Sequence, residues 1–293
     1  MKSNFTKING IKHHWISWGS PKKPLLLFLH GWMDLAASFH FVCQILKKDY
    51  YCVALDWRGF GKSEHTKDPL GYSFLSYAAD LHEFIHKISP QSPVKLVGHS
   101  MGGNIASFYS GAFPENVSHL INLEGFGLAD SPPEEAPKRL RQWIEGRTIR
   151  RFKIYPSLND IASRLRQTNP RITLGTASFL ATHISKKVRG GYQIAADPRH
   201  KWPSPLQYRL DIVYAYWHQI TAKILNVIAA ETEMAKWLKN TPDVHKEIRK
   251  RLTHFPKGAQ EIVLKGCGHM MHHEKPKEVA KLIAKFIEPN SRV

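Results

Sequence analysis

Gly98-His99-Ser100-Met101-Gly102 fits the pattern G-x-S-x-G, and Gly103 extends it. Such a run can hold a serine on a strained strand-to-helix turn, with its hydroxyl lifted clear of a sheet edge as a nucleophile. The flanks have the composition this requires. Val94 to Val97 is a short apolar run that reads as a buried strand, and Met101 to Phe113 is compatible with a helix that stops at Pro114. By itself the pattern could be an ordinary turn, because Gly and Ser are common turn residues. The strand–turn–helix context favours a reactive serine.

A serine hydroxyl needs a base to take its proton and a third group to orient that base. Of the 17 histidines, His269 stands out. It follows Gly266-Cys267-Gly268, directly after the apolar run Ile262 to Leu264 and before the last helical segment. Glycines there let a loop carry the imidazole over a sheet edge, so His269 is the expected general base. His269, His272 and His273 also have the spacing of a metal site, but no H-E-x-x-H accompanies them, and no metal or cofactor is expected. For the acid, Glu124 ends the run Leu120 to Leu123 and precedes Gly125, while Glu231 and Glu233 follow the run Ile224 to Ala229. Glu124 is the preferred acid, with Glu233, then Glu231, as the alternatives. Two N–H donors for a developing oxyanion are expected from Met101, which opens the helix after the serine, and from Trp32 in the turn His30-Gly31-Trp32. That turn could equally be a plain strand end.

Gly61-Lys62-Ser63 has the tail of a phosphate loop, but the pattern needs glycine at position 56, where Asp stands. Asp56 and Arg58 read instead as residues that order the loop after the strand Tyr51 to Leu55.

These groups need a scaffold that brings distant segments to one edge. Ile11 to Trp18 reads as an early strand. Leu25–Leu29, Tyr51–Leu55, Leu120–Leu123 and Ile224–Ala229 are continuous apolar runs, suited to strands covered on both faces. Helical patterns alternate with them. In Phe74 to Ile88 the positions Phe74, Tyr77, Leu81, Phe84, Ile85 and Ile88 form one stripe, and a final helix starts near Pro276. Alternation of this kind predicts a mostly parallel sheet flanked by helices. It breaks between about Phe126 and His218, a stretch that is mostly helix-compatible, with no convincing strands. Residues 126–218 are therefore expected to form a helical cap inserted in a core made of 1–125 and 219–293. Trp143, Tyr155, Phe179, Trp202 and Tyr208 are its candidate pocket aromatics, or its own core.

A chain of 293 residues can bury a large core without staples. The three cysteines have no C-x-x-C spacing and fit reduced thiols in a cytoplasmic protein. No apolar run approaches a membrane span and no signal peptide is evident, so the sequons at Asn4 and Asn116 are read as chance matches. The net charge is +18, and the 126–218 segment holds 16 basic against seven acidic residues. No basic segment coincides with a nucleic-acid motif, so nucleic acid is not expected as a partner.

Taken in order, His30-Gly31-Trp32, Asp56-x-Arg58-Gly59-x-Gly61-x-Ser63, the Ser100 run, Gly266-Cys267-Gly268-His269 and Glu274-Lys275-Pro276 resemble the α/β-hydrolase superfamily. The resemblance implies its fold, with an eight-stranded sheet and a cap inserted after the sixth strand. Leu123-Glu124-Gly125-Phe126-Gly127, with Tyr155-Pro156-Ser157-Leu158, Asp197-Pro198-Arg199 and Ser204-Pro205, is most similar to the serine hydrolase-like group. The haloalkane dehalogenases are also similar in placing an acid where Glu124 stands, but they use Asp where this chain has Ser100. The expected function is a serine hydrolase, most simply a carboxylesterase working through an acyl-enzyme with Ser100, His269 and Glu124. The substrate is expected to be a small ester or acyl compound. The basic segment raises an acidic acyl carrier as a partner, with Arg150, Arg151 and Lys153 as its contacts. The alternatives are hydrolysis of carrier-bound thioesters or esters, carbon–carbon bond hydrolysis, and a binding protein that kept the fold without the chemistry.

Overall fold

The computed structural model describes residues 1–239 and 241–288. Eight strands form one sheet: β1 (Lys2–Ile8), β2 (Ile11–Trp18), β3 (Leu25–Leu29), β4 (Tyr51–Leu55), β5 (Val94–His99), β6 (Val117–Leu123), β10 (Lys223–Ala229) and β11 (Gln260–Leu264). Their order across the sheet is β1-β2-β4-β3-β5-β6-β10-β11. β1 and β2 are antiparallel to each other, and β2 to β4, while all later neighbours are parallel. β1 has no apolar run to mark it in the sequence: its polar, alternating residues suit a half-exposed edge.

Alternate residues of the central strands feed two cores, as the period of two requires. Leu27, Leu29, Val53, Leu55 and Leu96 face one cluster, which takes in α2 (Phe74–Ile88), α3 (Met101–Ala112) and α7 (Leu210–His218). Leu26, Phe28, Cys52, Ala54 and Val97 face the other, with α1 (His40–Leu46) and α10 (Pro276–Ile287). A reciprocal Ser73–Ser76 capping box starts α2, satisfying amide groups that helix geometry leaves free.

Between β6 and β10 lie α4 (Ala136–Glu145), α5 (Leu158–Thr168), α6 (Leu174–Ile184) and α7. The segment is mostly helical, as the sequence predicts. It also holds a small antiparallel sheet, β7 (Ile154–Tyr155), β9 (Gly191–Ile194) and β8 (Ser185–Val188), in the order β7-β9-β8. These strands are two to four residues long and partly exposed, so no apolar run betrays them. The boundary at 218 takes in a helix that packs with the core: Val213 and Trp217 of α7 are buried there, and its Tyr216 backbone sits against Gly111 of α3. The segment is tied back to the loop after β4 by Gly61 N–H to Ala195 O and Asp197 N–H to Gly59 O, both 2.8 Å. The remaining helices are α8 (Val244–Leu252) and the short α9 (Met271–Glu274). Among the described residues no helix is long and apolar enough to cross a membrane.

Candidate active site

β3, β5, β6 and β10 all end at the same edge of the sheet, and the residues singled out from the sequence gather there. Ser100 stands between β5 and α3 with φ 51° and ψ −116°. A side chain at Gly98 would meet Gly102 O and Gly103 Cα at 2.6 Å, so the tight bend depends on glycine on both sides of the serine. Met33 (φ 59°) and Glu124 (φ 58°) also hold positive φ, and both border the same cavity as Ser100. A non-glycine residue in this region costs about 1–3 kcal/mol, and such strain concentrates at functional sites.

That cavity, about 590 Å³, is lined by Trp32, Ser100, Met101, Glu124, Glu233 and His269 together. Its volume is in the usual range for a small-ligand site. His269 Nδ1 lies 3.2 Å from Glu124 Oε2. The Glu124 carboxylate is buried and fully engaged: Oε1 accepts from Ala229 N–H at 2.8 Å, and Oε2 accepts from the Thr232 hydroxyl. Of the other two acids, Glu231 pairs with the Arg171 guanidinium at 2.6 Å, and Glu233, 41% exposed, pairs with Lys236 at 2.7 Å. The structure therefore brings Glu124, not Glu231 or Glu233, onto His269. Ser100 and His269 share the cavity without a direct hydrogen bond among the described residues. Contacts of this kind often tighten only on a bound substrate.

Residues not singled out from the sequence hold these groups in place. His99 Nε2 donates to His269 O at 2.8 Å, and burial pushes His99 well below the ordinary imidazole range, so it is neutral. Glu274 accepts from Gly268 N–H at 2.7 Å, bracing the loop just before His269. Trp237 lies against the His269 ring, with centroids 4.6 Å apart. Thr232 stands between the two alternative acids, and His99 occupies a variable position of the G-x-S-x-G pattern, so neither carries a signal of its own in the sequence.

His30 Nδ1 donates to Gly31 O at 2.7 Å, while its Nε2 accepts from Trp57 N–H at 3.1 Å. Gly31 O and Trp32 N–H belong to one planar peptide, so fixing the carbonyl also fixes the amide. Met101 N–H lies at the first turn of α3, where a helix has no internal acceptor for it. Asp56 orders the next loop through Ala36 N–H (2.6 Å), Lys62 N–H (3.0 Å) and His14 (2.7 Å), and Arg58 reaches Asp80 on α2.

The three histidines considered for a metal do not converge. His269 faces Glu124, whereas His272 Nε2 contacts Asp34 Oδ2 at 3.2 Å and His273 lies 3.8 Å from the same oxygen. Asp34, His272 and His273 could together offer three ligand atoms to an ion. Of the five aromatics weighed as pocket lining or as the insert's own core, none lines the Ser100 cavity. Tyr155 and Phe179 pack in the cluster of the inserted segment, Trp143 and Trp202 border a neighbouring depression, and Tyr208 borders an outer groove. Trp32 and Trp237 line the Ser100 cavity instead, with Leu165, Ile172 and Leu180 of the insert. Arg150, Arg151 and Lys153 are exposed and away from it.

A sheet of this order, with a serine on the bend after its fifth strand, defines the α/β-hydrolase class. The sequence model of the family described as "alpha/beta hydrolase fold" matches residues 24–276, and the chain belongs to that family. Within it the chain is similar to a serine hydrolase-like protein of Danio rerio, at 26% identity over 94% of this chain and 84% of the relative. It is also similar to the monoacylglycerol lipase ABHD6 of Mus musculus, at 25% identity over 90% of this chain and 76% of the relative. Among solved structures, the thioesterase domain from the curacin biosynthetic pathway superposes with a TM-score of 0.85 at 26% identity, over 97% of this chain and 99% of that domain. The relatives are hydrolases built on this scaffold.

Proposed function

We propose that this chain is a carboxylesterase that works through an acyl-enzyme on Ser100. His269 Nε2 takes the hydroxyl proton as Ser100 Oγ attacks the ester carbonyl. Glu124 accepts from His269 Nδ1–H, fixing the tautomer and stabilising the imidazolium that forms. The Trp32 and Met101 amides receive the oxyanion. Collapse of the tetrahedral species breaks the ester C–O bond, and the departing alkoxide takes the proton from His269 and leaves as an alcohol. Water then enters, gives a proton to His269 and attacks the acyl-enzyme; the acid departs as Ser100 regains its hydrogen. The segment 126–218 acts as a cap that limits water at the cavity, with Leu165, Ile172 and Leu180 turned to it.

One observation carries this reading: a buried carboxylate on His269, in the same cavity as a serine held at positive φ. It is tested by labelling with a fluorophosphonate probe and by turnover of a short p-nitrophenyl ester. Both should be present in the wild type and lost in Ser100→Ala. Undiminished turnover in Ser100→Ala overturns the assignment. A second reading, hydrolysis of an acyl thioester on an acidic carrier, is favoured by the basic insert and by similarity to the curacin thioesterase domain. Reversing the charge of Arg150, Arg151 and Lys153 should then slow carrier-bound substrates at low salt and spare free esters.

A further inference from the structure

Outside the Ser100 cavity, the structure carries a second and larger concavity of about 1100 Å³ between α2, α3 and α7. From the structure we infer that it is an acyl-chain groove, taking the long apolar tail of an ester whose carbonyl sits at Ser100. This inference rests on the esterase reading above. Three features of the groove support it.

First, the groove adjoins the Ser100 cavity: Phe74 and Leu128 line both. Second, its shape suits a chain. Phe74, Ala78, His82 and His86 recur every four residues along α2, and over that span the helix rises about 18 Å. Small side chains, Ala78 and Ala112, leave the width open, and the C-terminal half of α3, the helix that follows Ser100, supplies one wall through Phe108, Tyr109 and Ala112. Third, its walls ask for an apolar occupant. Leu75 and Ile212 are 67% and 56% exposed there, a cost in water that a buried alkyl chain would remove. Several polar groups of the wall are already engaged, Arg209 with Asp211, Glu83 with Asn9 N–H, and His82 with the Tyr109 hydroxyl, while the buried Tyr208 hydroxyl and Arg139 Nε have no hydrogen-bond partner among the described residues.

The test is an acyl series of p-nitrophenyl esters from acetate to palmitate, on the wild type, Ala78→Trp and Ile212→Asp. Ile212 is exposed, so its charge can enter the groove without disturbing the core. kcat/KM should rise with chain length in the wild type. Both variants should lose about tenfold or more on palmitate, the worth of roughly two buried methylenes, and keep their acetate rate. Equal rates along the series, or variants that spare palmitate, overturn the groove while leaving the esterase reading intact. If the wild type turns over no ester, the esterase reading fails, and binding of cis-parinaric acid to Ser100→Ala decides the groove alone. Binding weakened by Ala78→Trp supports it, and unchanged or absent binding overturns it. A wild-type dimer that Ile212→Asp dissociates, with the palmitate rate unchanged, assigns the face to a second copy and also overturns it.

Discussion

Two buried acid–imidazole pairs border the Ser100 cavity, Glu124 with His269 and Asp34 with His272, each with a 3.2 Å contact. Their surroundings differ. The His269 side chain is 8% exposed and lines the cavity, whereas that of His272 is fully buried and does not. His272 is enclosed by Phe39, His99 and His273, with ring centroids at 4.9, 4.3 and 4.0 Å. Burial alone would raise Asp34, but its hydrogen bond from His272 and the nearby His273 and His30 hold it below the usual carboxylate range. One pair therefore presents an imidazole edge to a ligand, and the other joins the loop after β3 to α9. His99 stands between them, its ring 4.8 Å from His269 and 4.3 Å from His272. The same two side-chain types do chemistry or hold structure according to whether a nitrogen faces the cavity.

The sharpest way to break this contrast is to remove each imidazole. His269→Ala should lower kcat on a short ester by about 10⁴- to 10⁶-fold with an unfolding midpoint close to the wild type. His272→Ala should do the reverse, losing stability and keeping most of its rate per folded molecule. Matched rate losses in the two variants would erase the distinction. The acids come next. Glu124→Gln should cost about 10²- to 10⁴-fold in kcat, since the wrong tautomer of His269 is then favoured. Glu233→Gln should stay within about threefold, as its carboxylate is half in water on Lys236. A larger loss in Glu233→Gln than in Glu124→Gln would replace the proposed acid. Asp34→Asn should show its effect chiefly in urea denaturation, with a loss of about 3–5 kcal/mol, the usual result of breaking a buried pair from one side.

Most of the frame could be read from the chain before its coordinates. Continuous apolar runs such as Leu25–Leu29 and Ile224–Ala229 are what strands covered on both faces require, and each is a strand. Ser100, His269 and Glu124 were legible because glycines beside them allow tight bends at strand ends. Three things were not legible. β7, β8 and β9 are too short to show a period. The support of Glu124 by Thr232, and of His269 by His99, joins segments more than a hundred residues apart and leaves no local pattern. The side on which an aromatic lies also escapes composition: Phe179 packs against His40 and Phe41 rather than the cavity. The groove along α2 was missed for a related reason. The stripe through Phe74 and Tyr77 describes the buried face, and the apolar Leu75 beside it lies outside that stripe.

The smallest effect sharpens the comparison through pH. Burial pushes His99 well below the ordinary imidazole range, and it pushes His200 and His273 down to about 3. In the unfolded chain the same rings titrate near about 6.5. Between about 6.5 and about 3 the unfolded chain therefore binds protons that the folded chain refuses. Stability is complete above that window and declines as pH falls through it, by up to about 1.4 kcal/mol per pH unit for each such ring. His273→Gln removes one of these protons, so its urea midpoint should fall less steeply from pH 6.5 to pH 4 than that of the wild type. A His273→Gln protein with an unchanged acid slope would mean that the ring beside Asp34 is already protonated in the fold. The Asp34 side would then be a charged cluster like the ion pair proposed to form at His269 during turnover, and the contrast between the two pairs would be lost.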